Sequence, residues 1–363
     1  MPSITINGVR CEAQAGMTVL EVAREASIHI PTLCYLKDTS AMGSCRMCVV
    51  EVEGVKCPVP ACTTMVREGM EVKTESLRLT EYRRMALELL LANHGTGSLD
   101  DCLACESNGR CELQALCCEY DVLEASSYVL GHLHDSGAAK GIAAVKSNPF
   151  LSYDPYRCIL CQRCVGACNT AARNHTLRAG KRGVRSSIEA PFGEDWHDTA
   201  CESCGNCAQA CPTGALSMKR RAGYHVDQTN VVRTTCPHCG VGCQIDLITE
   251  DNRVVDAVGA PGPSNKKLLC VKGRSASFDF VRAPDRLRTP LVKNRTTGAF
   301  EPATWDEALD LVAARLGDLR DEYGGESLAA FACSRSTNED VYLFQKMART
   351  ALKTNNVDCC ARV

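Results

Sequence analysis

The chain opens on alternation. Ile4 and Ile6 bracket Thr5, Asn7-Gly8 is a two-residue reversal, and a second run goes from Val9 to about Ala13. That pattern predicts a β-hairpin. Thr18 stands three residues before Glu21, the spacing of a capping box, so a helix is expected through about Ala26. Another helix is expected over Thr80 to Leu91, TEYRRMALELLL, ending near His94. Residues 121–147 offer little pattern beyond Gly131, Gly137 and Gly141 and read as a connector. Further on, Thr304 and Glu307 repeat the capping-box spacing ahead of a helix from about Trp305 to Glu322. Leu328 to Cys333 reads as a buried strand and Asn338 to about Leu352 as a helix. Helix alternating with strand predicts an α/β layer.

Composition adds bounds. A chain of 363 residues exceeds one compact core and predicts several domains. Hydrophobic residues at 45% and charged residues at 23% are ordinary for a globular protein. A net charge of −2 gives no field to gather nucleic acid. The start MPSITINGVR has no apolar h-region, twin arginine or cleavage site, and no run of about 18 apolar residues follows. A cytoplasmic chain without a membrane span is therefore expected.

The 26 cysteines change the picture. A disulfide framework needs an oxidising compartment, whereas metal binding needs reduced thiols. The cysteines fall in tight groups, which favours metal. Cys34, Cys45, Cys48 and Cys62 are spaced C-x10-C-x2-C-x13-C. Cys45 and Cys48 can hold one iron from a single loop that turns at Gly43, and Cys34 and Cys62 can complete a [2Fe–2S] centre. Cys102, Cys105 and Cys111 lack a fourth thiolate, and His94 is the nearest upstream candidate. Cys158, Cys161, Cys164 and Cys168 form C-x2-C-x2-C-x3-C, and Cys201, Cys204, Cys207 and Cys211 repeat it before Pro212. This is the two-cluster bacterial ferredoxin run, in which the fourth cysteine of each run ligates the other cluster. Cys236, Cys239, Cys243 and Cys270 give C-x2-C-x3-C-x26-C. Four-thiolate zinc remains an alternative for these sets, although a zinc site usually has a second C-x2-C pair. Cys11, Cys57, Cys117, Cys118, Cys333, Cys359 and Cys360 stay outside the sets. Cys11 and Cys57 read as structural, and Cys117, Cys118, Cys359 and Cys360 as packing residues.

These motifs carry a resemblance over essentially the whole chain. Strand–turn–strand–helix followed by the Cys34 to Cys62 spacing resembles the β-grasp [2Fe–2S] domain of the large iron–sulfur subunit of complex I and of iron-only hydrogenases. The segment LANHGTGSLDDCLACESNGRCELQ resembles their [4Fe–4S] module ligated by one histidine and three cysteines, although the seven residues between His94 and Cys102 exceed the usual gap. The Cys236 to Cys270 set, ending LLCVKGR, resembles the N-terminal [4Fe–4S] domain of molybdopterin oxidoreductases. There, Lys272 would lie between cluster and pterin. RAPDRL, from Arg282 to Leu287, resembles the linker into the pterin domains. The turn SRSTNED would approach the pterin dinucleotide through Ser334, Arg335 and Asn338, a strand-to-helix turn being a natural phosphate site.

The order of modules resembles the catalytic subunit of cytoplasmic, NAD(P)-linked or electron-bifurcating formate dehydrogenases. It implies a multidomain α+β protein. The β-grasp [2Fe–2S] domain covers 1–78, the histidine-ligated module 79–120, the connector 121–147 and the two-cluster ferredoxin domain 148–222. A [4Fe–4S] domain covers 229–285, and the start of an α/β molybdopterin-binding domain covers 286–363. The implied cofactors are one [2Fe–2S] cluster, four [4Fe–4S] clusters and a molybdopterin guanine dinucleotide with molybdenum or tungsten. The implied substrate is formate or carbon dioxide. The implied partners are flavin- and NAD(P)-binding diaphorase-type subunits, with ferredoxin or hydrogenase subunits as further options, because no G-x-G-x-x-G follows a strand here. TNNVDCCARV, from Thr354 to Val363, resembles the segment just before the cysteine or selenocysteine metal ligand, so the ligand is expected one residue further on. A selenocysteine UGA codon read as a stop would account for that. Complex I is expected to differ by lacking the tandem ferredoxin run, and iron-only hydrogenase by lacking the Cys236 to Lys272 pattern. Nitrate reductase is disfavoured by TNNVDCCARV.

Overall fold

The computed structural model describes residues 2–39, 41–94, 98–105, 107–124, 148–183, 186–190, 196–219, 228–275 and 278–360. From residue 125 on, the connector expected over 121–147 lies outside them, as do the last three residues of the Thr354–Val363 segment. Among the described residues no helix is long and apolar enough to cross a membrane. The chain divides into two compact units. One contains residues 1–231, 248–258 and 268–275, and the other 232–247, 259–267 and 276–363.

The first unit starts with a five-stranded sheet built from Ser3–Ile6 (β1), Val9–Glu12 (β2), Val49–Val52 (β3), Val59–Pro60 (β4) and Glu71–Lys73 (β5). Their order is β2-β1-β5-β3-β4. β1 pairs antiparallel with β2 and parallel with β5, the β-grasp arrangement. Asn7 and Gly8 both take positive φ, as the predicted hairpin turn requires. Helix α1, Val19–Glu25, lies across the sheet with Val19, Leu20, Val22 and Ala23 buried. Its capping box is formed: Thr18 Oγ1 accepts from the Glu21 amide, and the Glu21 carboxylate accepts from the Thr18 amide at 2.8 Å.

Helix α2 spans Leu77–Ala92 and is capped by Ser76, three residues earlier than the apolar pattern suggests. It buries Leu79, Arg83, Leu87 and Leu91, a four-residue repeat that places one face on the core. Arg83 is buried because the carbonyls of Met47, Val49 and Thr74 accept its guanidinium hydrogens. Leu87 and Leu91 pack with Leu33, Cys34, Cys45, Met47, Cys111, Leu113, Ile159 and Cys161. One apolar core therefore touches cysteines from three of the predicted sets. Helix α3, Glu112–Glu119, buries Cys117 but exposes Cys118. The packing role expected for Cys118 is thus corrected: neighbouring helical residues point about 100° apart. Cys57 is exposed as well, while Cys11 is buried in the β-grasp core.

The ferredoxin region is held at its ends by Leu151–Tyr153 (β6) pairing with Leu216–Met218 (β9). Between them Arg178–Gly180 (β7) pairs with Ser187–Glu189 (β8). Tyr153 stacks on Trp196 with ring centroids 5.9 Å apart.

In the second unit Leu291–Lys293 (β10) and Phe300–Pro302 (β11) form a hairpin. Helix α4, Trp305–Tyr323, carries the expected Thr304–Glu307 capping box. Ala330–Ala332 (β12) pairs in parallel with Val357–Cys359 (β13), and helix α5, Asn338–Thr350, lies between them in sequence. The strand expected to be buried from Leu328 to Cys333 is shorter and leaves Phe331 77% exposed. A two-stranded sheet has one uncovered face, and Phe331 stands on it. Cys359 and Cys360 are exposed, so among the described residues they do not pack as expected.

Candidate metal centres

The four β-grasp cysteines come together. All are buried, and their sulfurs share hydrogen bonds. Bonds from Cys45 and Cys62 hold Cys34 far below the ordinary thiol range. Cys45 is raised, first by its bond with Cys34, and Cys62 by its bonds with Cys34 and Cys48. Cys48 comes down to about 7 through its bond with Cys62. Sulfurs close enough to share protons are positioned for metal to replace those protons. Gly43 at φ +59 and Arg46 at φ +60 make the loop's tight turn. A Cβ on Gly43 would meet Thr63 Cγ2 at 3.3 Å.

In the next set Cys102 and Cys105 raise the pKa of Cys111 through their charge, after the larger effect of burial, which brings it to about 11. Cys111 caps helix α3, and its Sγ accepts from the Gln114 amide at 3.4 Å. His94 is buried, and its Nδ1 donates to the Arg157 carbonyl at 2.9 Å. A carbonyl can only accept, so this bond fixes the tautomer in which Nε2 carries the lone pair that a metal requires.

In the ferredoxin region Cys211 lies with the first run and Cys168 with the second. Cys158, Cys161, Cys164 and Cys211 line one small pocket. Cys168, Cys201, Cys204 and Cys207 line another. Burial pushes Cys161 up to about 12 and raises Cys164 and Cys207 further. Bare thiols in these pockets would stay protonated, and metal would supply the charge that favours thiolate. The repeat is also legible in the backbone. Leu160 and Gln162 in the first run, and Ser203 and Gly205 in the second, take left-handed φ at equivalent positions. Among the described residues, no three His, Cys, Asp or Glu are arranged for a single ion.

Asn206 was missed by sequence reasoning. It is buried, lies between Cys204 and Cys207 in sequence, and its Nδ2 reaches Cys204 Sγ at 3.3 Å and the Leu269 carbonyl at 3.0 Å. Its Oδ1 accepts from the Leu269 amide at 3.0 Å and from Arg274 at 3.2 Å. The loop carrying Cys270 is thereby tied to the second ferredoxin run. A polar residue inside the S-C-G-N-C stretch was the available signal. Lys272 is exposed on the short helix Val271–Ser275.

The second unit brings Cys236 and Cys243 together, the Cys236 amide donating to the Cys243 carbonyl at 2.8 Å. Gly240 in the same loop lies so close to the Ser334 carbonyl that a Cβ could not fit. Ser334 sits just past the C-terminal end of β12, and its amide donates to Cys360 Sγ at 3.5 Å, just past the end of β13. Carboxyl ends of parallel strands are where α/β sheets bind ligands. Arg335 and Asn338 are exposed on the same turn and at the start of α5. The cap of α5 is Thr337, whose side chain accepts from Asp340, so a capping role does not account for Ser334 or Asn338.

Comparison with known families follows the same division. Residues 2–76 match the 2Fe-2S iron-sulfur cluster binding domain, and 83–126 the NADH-ubiquinone oxidoreductase-G iron-sulfur binding region. Residues 148–217 match the ferredoxin-like domain of NADH-quinone oxidoreductase subunit 3. Residues 229–279 match the molybdopterin oxidoreductase Fe4S4 domain, and 286–363 the molybdopterin oxidoreductase family. The chain carries molybdopterin oxidoreductase domains together with an NADH-G-type iron–sulfur region.

This chain is 36% identical, over its whole length, to the NADPH-Fe(3+) oxidoreductase subunit alpha of Geobacter sulfurreducens. It is 35% identical, again over its whole length, to an NADH-quinone oxidoreductase subunit of Rhizobium meliloti. It is 31% identical, over 99% of its length, to the protein named "Putative formate dehydrogenase YrhE" of Bacillus subtilis. The chain spans 40% of the length of each of these relatives. Its structure also resembles a chain of the NAD+-reducing [NiFe]-hydrogenase in the H2-reduced state, with TM-score 0.53 and 32% identity. That match covers 62% of this chain and 90% of the hydrogenase chain. One expectation is corrected. The tandem ferredoxin run does not set the chain apart from complex I, because residues 148–217 match a domain of an NADH-quinone oxidoreductase subunit.

Proposed function

We propose that the chain is the relay and pterin-proximal part of a formate dehydrogenase, passing electrons through five iron–sulfur clusters to a flavoprotein partner and NAD(P). The observation that carries this reading is the meeting of the Cys236–Cys243 loop with the turn at Ser334 and the end of β13, through Gly240. A cluster held by that loop would lie next to a dinucleotide held by that turn. The exposed side chains of Ser334, Arg335 and Asn338 would bind and orient its phosphates. Lys272 would place an ammonium beside Cys270, where negative charge passes.

Formate gives up two electrons and one proton as it becomes carbon dioxide, and a pterin-held molybdenum or tungsten, when bound, accepts the electrons. This chain's residues would then hold the single-electron carriers in series. The Cys236–Cys270 set would be the first acceptor, followed by the two ferredoxin sets. The His94 and Cys34 sets would be the exit. The relatives named as formate dehydrogenases, and the Thr354–Cys360 segment beside Ser334, support this choice of substrate. A second reading, an electron-transferring subunit without its own substrate, is favoured by the hydrogenase chain, 90% of which aligns with 62% of this chain.

The test is dye reduction by the complete protein, produced anaerobically with selenium and with molybdate or tungstate. Formate-dependent reduction supports the proposal, and turnover of nitrate with none of formate overturns it. Reduction of the clusters by NAD(P)H through a partner, with no turnover of either substrate, supports the second reading.

A further inference from the structure

Arg157 precedes the first ferredoxin cysteine, and nothing in the cysteine pattern marks it. Its Nη1 donates to Cys105 Sγ at 3.1 Å. Its Nε lies 3.3 Å from Asp154 Oδ2. Its carbonyl accepts from His94 Nδ1 and from Thr213 Oγ1, each at 2.9 Å. Thr213 Oγ1 is also 3.7 Å from Cys211 Sγ. One residue thus touches, through its side chain, a cysteine of the histidine-containing set and, through its backbone, both that set's histidine and a partner of the neighbouring ferredoxin set. The fit is close: a Cβ on Gly214, the residue after Thr213, would lie 3.1 Å from Cys105 Sγ.

We propose that Arg157 sets the reduction potential of the cluster held by His94, Cys102, Cys105 and Cys111, and that its peptide is the joint to the first ferredoxin cluster. The inference rests on the ligand reading proposed above. When that cluster takes one electron its charge becomes more negative by one. A guanidinium hydrogen-bonded to a ligand sulfur stabilises the more negative form, so the potential rises. No proton or co-reactant is needed, because one iron equivalent is reduced and the donor cluster is oxidised. The carboxylate of Asp154 opposes the guanidinium and should lower the potential. The through-bond route runs from the His94 ring across its hydrogen bond to the Arg157 carbonyl, and along one peptide to Cys158.

A positioning residue of this kind is tested by potential rather than by activity. The complete protein is purified anaerobically, and its clusters are titrated redox-wise under EPR. His94→Cys identifies the signal, since thiolate in place of imidazole should lower one potential. If it moves none, the ligand reading fails, and this proposal with it. Arg157→Gln should then lower the potential of that same signal, its reduction equilibrium falling on the order of tenfold, or about 59 mV for one electron. The [2Fe–2S] signal should not move. Arg157→Lys should recover part of the shift. Asp154→Asn, which keeps the Oδ1 bond to the Tyr156 amide, should raise the potential. An unchanged potential in Arg157→Gln, or a shift of the same sign in Asp154→Asn, overturns the proposal. Should Arg157→Gln lose its clusters, the sign seen with Asp154→Asn decides alone.

Discussion

Asn206→Ala removes a side chain that acts as a short piece of β-ladder. Its amide pairs with both backbone groups of Leu269 at 3.0 Å and takes one further bond from Arg274. Leu269 is 4% exposed, so water cannot readily replace the lost partners. A buried polar group left without a partner costs about 1–3 kcal/mol. Arg274 keeps the Cys204 carbonyl and Gln209, so its loss is partial. The two Leu269 groups dominate, and partial relaxation brings the total to about 2–4 kcal/mol. Because about 1.4 kcal/mol is tenfold in an equilibrium, protection of the Leu269 amide should fall roughly 30- to 700-fold. Hydrogen exchange on the complete, cluster-loaded protein measures this directly, and peptides covering 266–275 should respond while those in β1 do not. Asn206→Asp should be intermediate for the Leu269 amide, since an acceptor remains, yet it places a carboxylate against Cys204 Sγ. If Asn206→Ala keeps its fold and the Leu269 amide exchanges within threefold of the parent rate, the ladder argument is wrong.

Cys211→Ser should alter the cluster of Cys158, Cys161 and Cys164, while Cys168→Ser alters the other, because the pockets are shared in that crossed sense; Mössbauer or EPR signatures following the sequential grouping instead would refute this. Thr18→Ala should cost about 1 kcal/mol of β-grasp stability in chemical unfolding, by removing a helix cap, and an unchanged midpoint would count against it. Glu21 is held below its ordinary value of 4.5, first by its bond from the Thr18 amide. A depressed carboxyl stabilises fully above its unfolded pKa and loses that contribution as pH falls through the folded one. Because alanine at position 18 keeps that amide, parent and Thr18→Ala should both lose stability as pH falls below about 4.5 in the same assay. Gly240→Ala should force the cysteine loop off the Ser334 carbonyl and slow substrate-driven reduction of the clusters in stopped-flow measurements, while their spectra persist; an unchanged rate would detach that contact from function.

Sequence alone determined what depends on spacing along the chain. The Asn7-Gly8 turn, the two capping boxes and helices α1, α4 and α5 rest on contacts within four residues. The cysteine groups were legible for the same reason, since a loop that offers three sulfurs to one centre must space them locally. The β-grasp order could be anticipated only as a type. The parallel pairing of β1 with β5 joins Thr5 to Glu71, and no local pattern specifies so distant a partner. Tertiary structure alone decided which residues meet between modules. Arg157 reaches Cys105 across 52 positions, and Asn206 reaches Leu269 across 63. Arginine and asparagine fit an exposed loop equally well, so their chemistry in the sequence says nothing about a buried partner. The fate of Cys118 and Phe331 was likewise hidden, because an apolar or thiol side chain is buried only if another element covers its face. Spacing named the sulfurs; long-range packing decided which atoms surround them, and those atoms set charge and potential.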